Sequence, residues 1–280
     1  MNAGKTVVQF FLAWIALLAA QMVAGMLIHT STPVMPNIFR WLMLSNALVV
    51  VALGGAAMRS EWKGWRLGLA LFSIPVVIAA VNMLEGVIFL TNAKVDWRGI
   101  FLLTVVGYAL AAALWTVIFN SKPVLAPAGD WAIPTRTFPQ KLWRFAFCSA
   151  AYVFLYILAG MIIFPHVREF YATQHIPSMG QIVLLQFFVR GPVFVVVCLV
   201  LLRMFRLNGW SGALSVGLAF TILSGVATLI LPNPFFPDSV RWAHFCEVTS
   251  SNFVFGCVVG LVWGKPATAT AKARLTAQPV

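Results

Sequence analysis

One arginine stands inside a long apolar run, "QIVLLQFFVRGPVFVVV" (181–197), and the chemistry it demands organises the rest of the chain. Arg190 lies about ten residues into an apolar segment, roughly 15 Å along a helix, which is near the middle of a bilayer if the segment spans one. An ionised group at that depth costs about 2.5–3.5 kcal/mol. It therefore needs a carboxylate or a wet cavity. Two acids lie at comparable depth. Glu247 belongs to "RWAHFCEVTSSNF" (241–253), and Glu85 to "VNMLEGVIF" (81–89), which also holds Asn82. On helical backbone His244 and Glu247 are three apart and Glu247 and Ser251 four apart, so these three share a face. Glu247 is the expected main partner of Arg190, with Glu85 second and with His244 and Ser251 lining the same outward-facing cavity. Asn252, Gly256 and Gly260 form another strip; its GxxxG spacing reads as close helix packing. Gly191 and Pro192, directly after Arg190, predict a kink. The competing reading of Arg190 is an ion pair that fixes helix packing and has no ligand.

Metal binding is an alternative use of the same side chains. "HVRE" (166–169) and "HFCE" (244–247) each place a histidine and a glutamate three apart. Imidazole with carboxylate suits Zn, Mn or Fe. The candidate ligands are His166, Glu169, His244 and Glu247, with His175 or His29 available to complete a shell. Pro165 makes helix doubtful at the first motif, and interfacial histidines are the plainer account. There is no HExxH, GxSxG, P-loop or GxGxxG, so no catalytic residue and no cofactor is assigned. Cys148, Cys198, Cys246 and Cys257 are spaced singly and read as packing residues.

These groups must be positioned in an unusually apolar chain. Of 280 residues, 61% are hydrophobic and 9% charged, whereas soluble domains carry about 25% charged residues. Apolar blocks cover 6–28, 37–58, 66–90, 99–119, 142–164, 180–202, 211–231 and 240–263. Each is close to the ~20 residues of a spanning helix. The fold class is therefore all-α: a polytopic membrane bundle of eight transmembrane helices. With the N-terminus in the cytoplasm, thirteen of the nineteen lysines and arginines fall on inner segments and five on outer ones. This is the positive-inside pattern, with both termini cytoplasmic. The net charge of +12 then reports topology and contact with anionic lipid, and no nucleic-acid partner. All four histidines, and all the acids except Glu61 and Asp130, fall on the outer side or in the outer halves of helices.

The connector "NSKPVLAPAGDWAIPTRTFPQK" (120–141) divides the chain into 1–120, the connector 121–141, and 142–264, followed by a tail over 265–280 expected to be disordered. Short matches recur in order across the two large parts. "AGMLI" (24–28) pairs with "AGMII" (159–163), Gly64-Trp65 with Gly209-Trp210, Arg98 with Arg241, and Lys122-Pro123 with Lys265-Pro266. Four helices per part give both the same orientation, a 4+4 parallel repeat about an axis along the membrane normal.

"EFYATQHIP" (169–177), Arg190-Gly191 and the stretch from Asn233 to Gly256 resemble segments of multi-pass bacterial inner-membrane proteins. The resemblance implies that setting and no activity. Three functions fit the residues. A transporter-like or small-solute-binding protein would have a polar cavity between the parts reaching Arg190. A membrane-embedded enzyme or metal protein would gather outer-face His and Glu groups at one point. A non-catalytic bundle binding lipid or a partner protein would have a filled core with Arg190 locked in a pair. The solute, the cofactor and the oligomeric state are not specified by the sequence.

Overall fold

The computed structural model of the chain describes residues 3–30, 35–90, 95–120, 133–174 and 176–264. His175, most of the connector and the tail lie outside the described residues. The described residues form eight helices long and apolar enough to cross a membrane. They are α1 (Ala3–Leu27), α2 (Ile38–Arg59), α3 (Gly64–Phe89), α4 (Trp97–Phe119), α5 (Phe138–Tyr171), α6 (Met179–Phe205), α7 (Gly209–Leu229) and α8 (Asp238–Trp263). Each falls on one expected block.

The fifth departs most from expectation. It begins at Phe138, where Thr137 and Gln140 form a reciprocal capping box, and it runs through Pro165 to Tyr171 instead of ending at 164. Proline inside a helix forfeits one backbone bond and crowds the preceding turn. Pro165 sits on an exposed stretch between Phe164 and His166, where no neighbouring helix forces the chain to break. The extra turns carry Tyr171 up beside α8.

Arg190 lies at the end of a π-helical turn, Gln186–Arg190, whose closing bond runs from the Gly191 amide to the Gln186 carbonyl. Pro192 supplies no amide, and widening the turn lets the freed carbonyls reorganise. A second π turn, Ile222–Val226, interrupts α7.

The helices pack in an ordered way. In the first four, α1 lies against α2 and α4, α4 against α3, and α2 touches α3 and α4. In the last four, α5 lies against α6 and α8, α8 against α7, and α6 touches α7 and α8. The two sets meet through α2 and α3 on one side and α6 and α7 on the other. Gly64 and Gly209 open α3 and α7 with left-handed φ values of 52° and 55°, a conformation that a side chain disfavours.

Phe194, Phe220, Phe255 and Tyr152 fill the core beneath the junction, with ring centroids 5.0–5.6 Å apart. The tightest contact is between α7 and α8. A Cβ built on Gly256 would lie 2.7 Å from the Gly217 Cα, and one on Gly260 would lie 2.5 Å from the Ala213 Cα. The GxxxG strip is thus a packing surface, as its spacing predicts. Large apolar side chains also cover the outside, among them Phe11, Met22, Val117, Phe154, Met161 and Phe188.

Candidate functional site

Two polar clusters run from the middle of the bundle towards the end where α3, α5 and α7 finish and α6 and α8 begin. The larger is built on Arg190. Its side chain is ion-paired through Nη1 to the Glu85 carboxylate. Its Nη2 donates to the Asn82 Oδ1 at 2.9 Å. Gln186, one turn before Arg190, donates through Nε2 to the other Glu85 oxygen at 3.0 Å. Asn82 donates to the Ser224 carbonyl at 3.1 Å, and Asn252 donates to the Ser224 hydroxyl at 2.8 Å. A single network therefore joins α3, α6, α7 and α8. The guanidinium also lies 5.2 Å from the Phe194 ring centroid and 6.0 Å from those of Tyr152 and Tyr156. These ring faces are attractive surfaces for a cation.

The partner of Arg190 is Glu85. Its assignment to Glu247 is corrected by this geometry. Glu247 forms the second cluster: its Oε2 lies 2.7 Å from the His244 Nδ1, and the His244 Nε2 lies 2.8 Å from the Tyr171 hydroxyl. A neutral imidazole satisfies both contacts when Nδ1–H donates to Glu247 and Nε2 accepts the phenol proton. When Nε2 also carries a proton, the phenol oxygen becomes the acceptor and the cation faces the carboxylate. The other Glu247 oxygen turns towards Gly160 of α5, lying 3.5 Å from where a Cβ would stand. The two clusters are not remote. Tyr156, whose ring lies 6.0 Å from the Arg190 guanidinium, and Gly160, beside Glu247, are four residues apart on α5 and share a face.

Removing the phenol separates these roles. Tyr171→Phe leaves the His244 Nε2 without its partner and costs about 0.5–1.5 kcal/mol. It should shift the His244 ring nitrogens in the 15N NMR spectrum; an unchanged spectrum would show that the Tyr171 contact is not made.

Other expected residues are placed differently. Ser251 uses its hydroxyl on the backbone, donating to the Glu247 carbonyl at 2.8 Å, so no side-chain bond joins it to either cluster. Asn252, read as part of the packing strip, is buried and belongs to the Arg190 network. His29, His166 and Glu169 are exposed, and among the described residues no three His, Cys, Asp or Glu side chains gather as a metal site. Sequence reasoning missed Gln186 and Tyr171. Gln186 had a signal: an amide four residues before a buried arginine shares its face. Tyr171 had none once the helix was taken to stop before Pro165.

The network is nearly sealed. Arg190 is 5% exposed and Gln186 fully buried, while the Glu85 side chain keeps 20% of its surface. Yet the Arg190 Nε and the Gln186 Oε1 are buried without a hydrogen-bond partner among the described residues. One groove of about 380 Å³ includes Tyr171, Arg168 and Glu169 in its lining; another, of about 530 Å³, lies between α3 and α4 at the opposite end.

Comparison with known proteins adds no relative. No family model, no curated protein and no solved structure matches the chain. The functional reading rests on the geometry.

Proposed function

We propose that the chain is a multi-pass protein of the bacterial inner membrane that binds, and in a transporter-like manner moves, a small polar solute at the Arg190–Glu85–Gln186 network. The observation that carries this reading is the presence together of a buried donor and a buried acceptor, Arg190 Nε and Gln186 Oε1, that have no partner among the described residues, in a charged site where the first four helices meet the last four. The large majority of buried polar groups in proteins are satisfied, and an unsatisfied one calls for a ligand, a water or a functional reason. A sealed core with Arg190 locked to Glu85 is also what a packing bundle would show; the two open bonds in one charged site are what favour a ligand.

Several features support the setting. Large apolar side chains cover the outside, which suits hydrocarbon and not water. The 4+4 parallel repeat is supported by the same order of neighbours in both halves and by the paired left-handed Gly64 and Gly209. A site at the junction of two such halves is where many transporters place their solute. The π turns in α6 and α7 lie beside the network, and such turns are frequent where helices change shape in use. With both termini cytoplasmic, as the basic residues favour, the two polar clusters lie towards the outer face. The structure is then the closed arrangement of an outward-opening site. The partner environment is the lipid bilayer, and the ligand a small polar solute or ion.

Thiol labelling in whole cells tests location and access together. In a chain lacking its native cysteines, Ala172→Cys should react with a membrane-impermeant reagent from outside. Lys63→Cys should react only after permeabilisation. Asn82→Cys, at the Arg190 network, should react from outside with a small charged methanethiosulfonate, more slowly than Ala172→Cys. Reversed labelling of Ala172 and Lys63 would overturn the topology. An Asn82→Cys that reacts from neither side, or only from inside, would overturn the outward-opening site.

A further inference from the structure

The Glu85 carboxylate is held as a bound ligand would be. Both oxygens are engaged, one by Arg190 and one by Gln186, and both donors come from α6, four positions apart across the π turn. Asn82 holds the second arm of the guanidinium at 2.9 Å, and the aromatic faces of Tyr152 and Phe194 lie beside it. This is a cradle for a carboxylate, presented by the second half of the chain and occupied by a side chain of the first half. It also retains a donor without a partner among the described residues, the buried Arg190 Nε.

We propose that the solute is a small anion, a carboxylate or comparable oxyanion, taken up together with one proton, and that Glu85 is its internal stand-in. This rests on the solute-site reading above and names the ligand class. Charge balance gives the reason. Arg190 and Glu85 together are neutral. An anion entering beside them would leave a net negative charge in a sealed site. If Glu85 first takes a proton, it no longer holds the guanidinium, and the anion replaces it with neutrality kept. Gln186 fits both states: its Nε2 donates to an ionised Glu85 or to the incoming anion, and its free Oε1 can accept the proton of a neutral Glu85 after the amide turns.

A candidate proton source for Glu85 lies close by. Glu247, His244 and Tyr171 form a hydrogen-bonded string, and on α5 Tyr156, beside Arg190, and Gly160, beside Glu247, are four residues apart on one face. The groups around Glu85 are Arg190 and Gln186 on α6, bonded to it, and Tyr152, Tyr156 and Tyr171 on α5; Glu247 on α8 neighbours the same tyrosines, and Asn82 shares the helix of Glu85. Arg190 holds the Glu85 carboxylate when no anion is present. The arriving anion draws a proton in with it.

The purified full-length chain can be titrated with methanesulfonate and with benzenesulfonate, which stay ionised throughout. Binding is read by thermal stabilisation, and proton uptake by an indicator dye in weak buffer. The expected result is one proton taken up for each anion bound, with affinity falling up to about tenfold per unit rise in pH. Glu85→Gln should bind the anions with affinity independent of pH, and Arg190→Met should bind neither. Anion binding without proton uptake, or retained in Arg190→Met, overturns the proposal. So does stabilisation by tetraethylammonium and by neither sulfonate. If Glu85→Gln does not fold, proton uptake by the unaltered chain still decides. Failure here with Asn82→Cys reactive from outside removes the anion and leaves the solute site; an unreactive Asn82→Cys removes the site itself.

Discussion

Arg190→Met alone should destabilise the protein by about 3–5 kcal/mol, the usual cost of leaving one member of a buried ion pair without the other. Glu85→Gln alone should cost a comparable amount, because the guanidinium cannot give up its charge. The double substitution should cost less than the larger single one. The measurement is a double-mutant cycle by denaturant or thermal unfolding in one detergent. The same cycle run with Glu247→Gln should show a smaller coupling, since Glu247 is bonded to His244 and not to Arg190. Additive Arg190 and Glu85 effects would mean that the two are not paired in solution.

The second large effect concerns backbone contact. Gly256→Val should cost about 3 kcal/mol, the upper end of what overpacking a filled site usually costs. The added Cβ would lie 2.7 Å from one backbone atom of Gly217 and 3.1 Å from another. Backbone cannot step aside as the tip of a flexible side chain can. Gly25→Ala is the matched control: it too is a helical glycine, and nothing lies within 4 Å of its added methyl. Removing glycine from a helix there should be neutral or stabilising by about 0.5–1 kcal/mol. Equal effects at Gly25 and Gly256 would show that the α7–α8 contact is looser than described.

The helices were legible because their signal is local. Twenty apolar residues in a row report a spanning segment whatever surrounds them, and each of the eight blocks coincides with a helix. The partner of Arg190 was not legible to the same degree. Residue spacing gives the depth of a side chain along its helix but not the direction in which the assembled helix turns it. Glu85 and Glu247 were both deep enough. What decides between them is that His244, one turn away on the same helix, holds Glu247, while α3 turns Glu85 towards α6. His244 and Glu247 at a spacing of three already announced that local bond, which could have been weighed against the distant arginine. The reach of α5 past Pro165 was hidden for another reason. Proline's penalty is real but finite, and only the surroundings determine whether a helix absorbs it. Tyr171 was lost with it, and so was the link between α5 and the His244 cluster.

The sequence separation within the central ion pair bears on how the chain is made. Glu85 and Arg190 are 105 residues apart, with the acid first. At roughly 5–20 residues per second of synthesis, a chain entering a membrane carries α3 for several seconds before α6 is complete. A lone carboxyl can wait in hydrocarbon as the neutral acid, whereas a lone guanidinium has no neutral form to fall back on. The order of translation therefore sends the forgiving partner in first and delivers the arginine to a counter-charge already in place. Moving α6 ahead of α3 by circular permutation, with the new termini in the connector, would reverse that order while leaving the Arg190–Glu85 pair of the finished molecule in place.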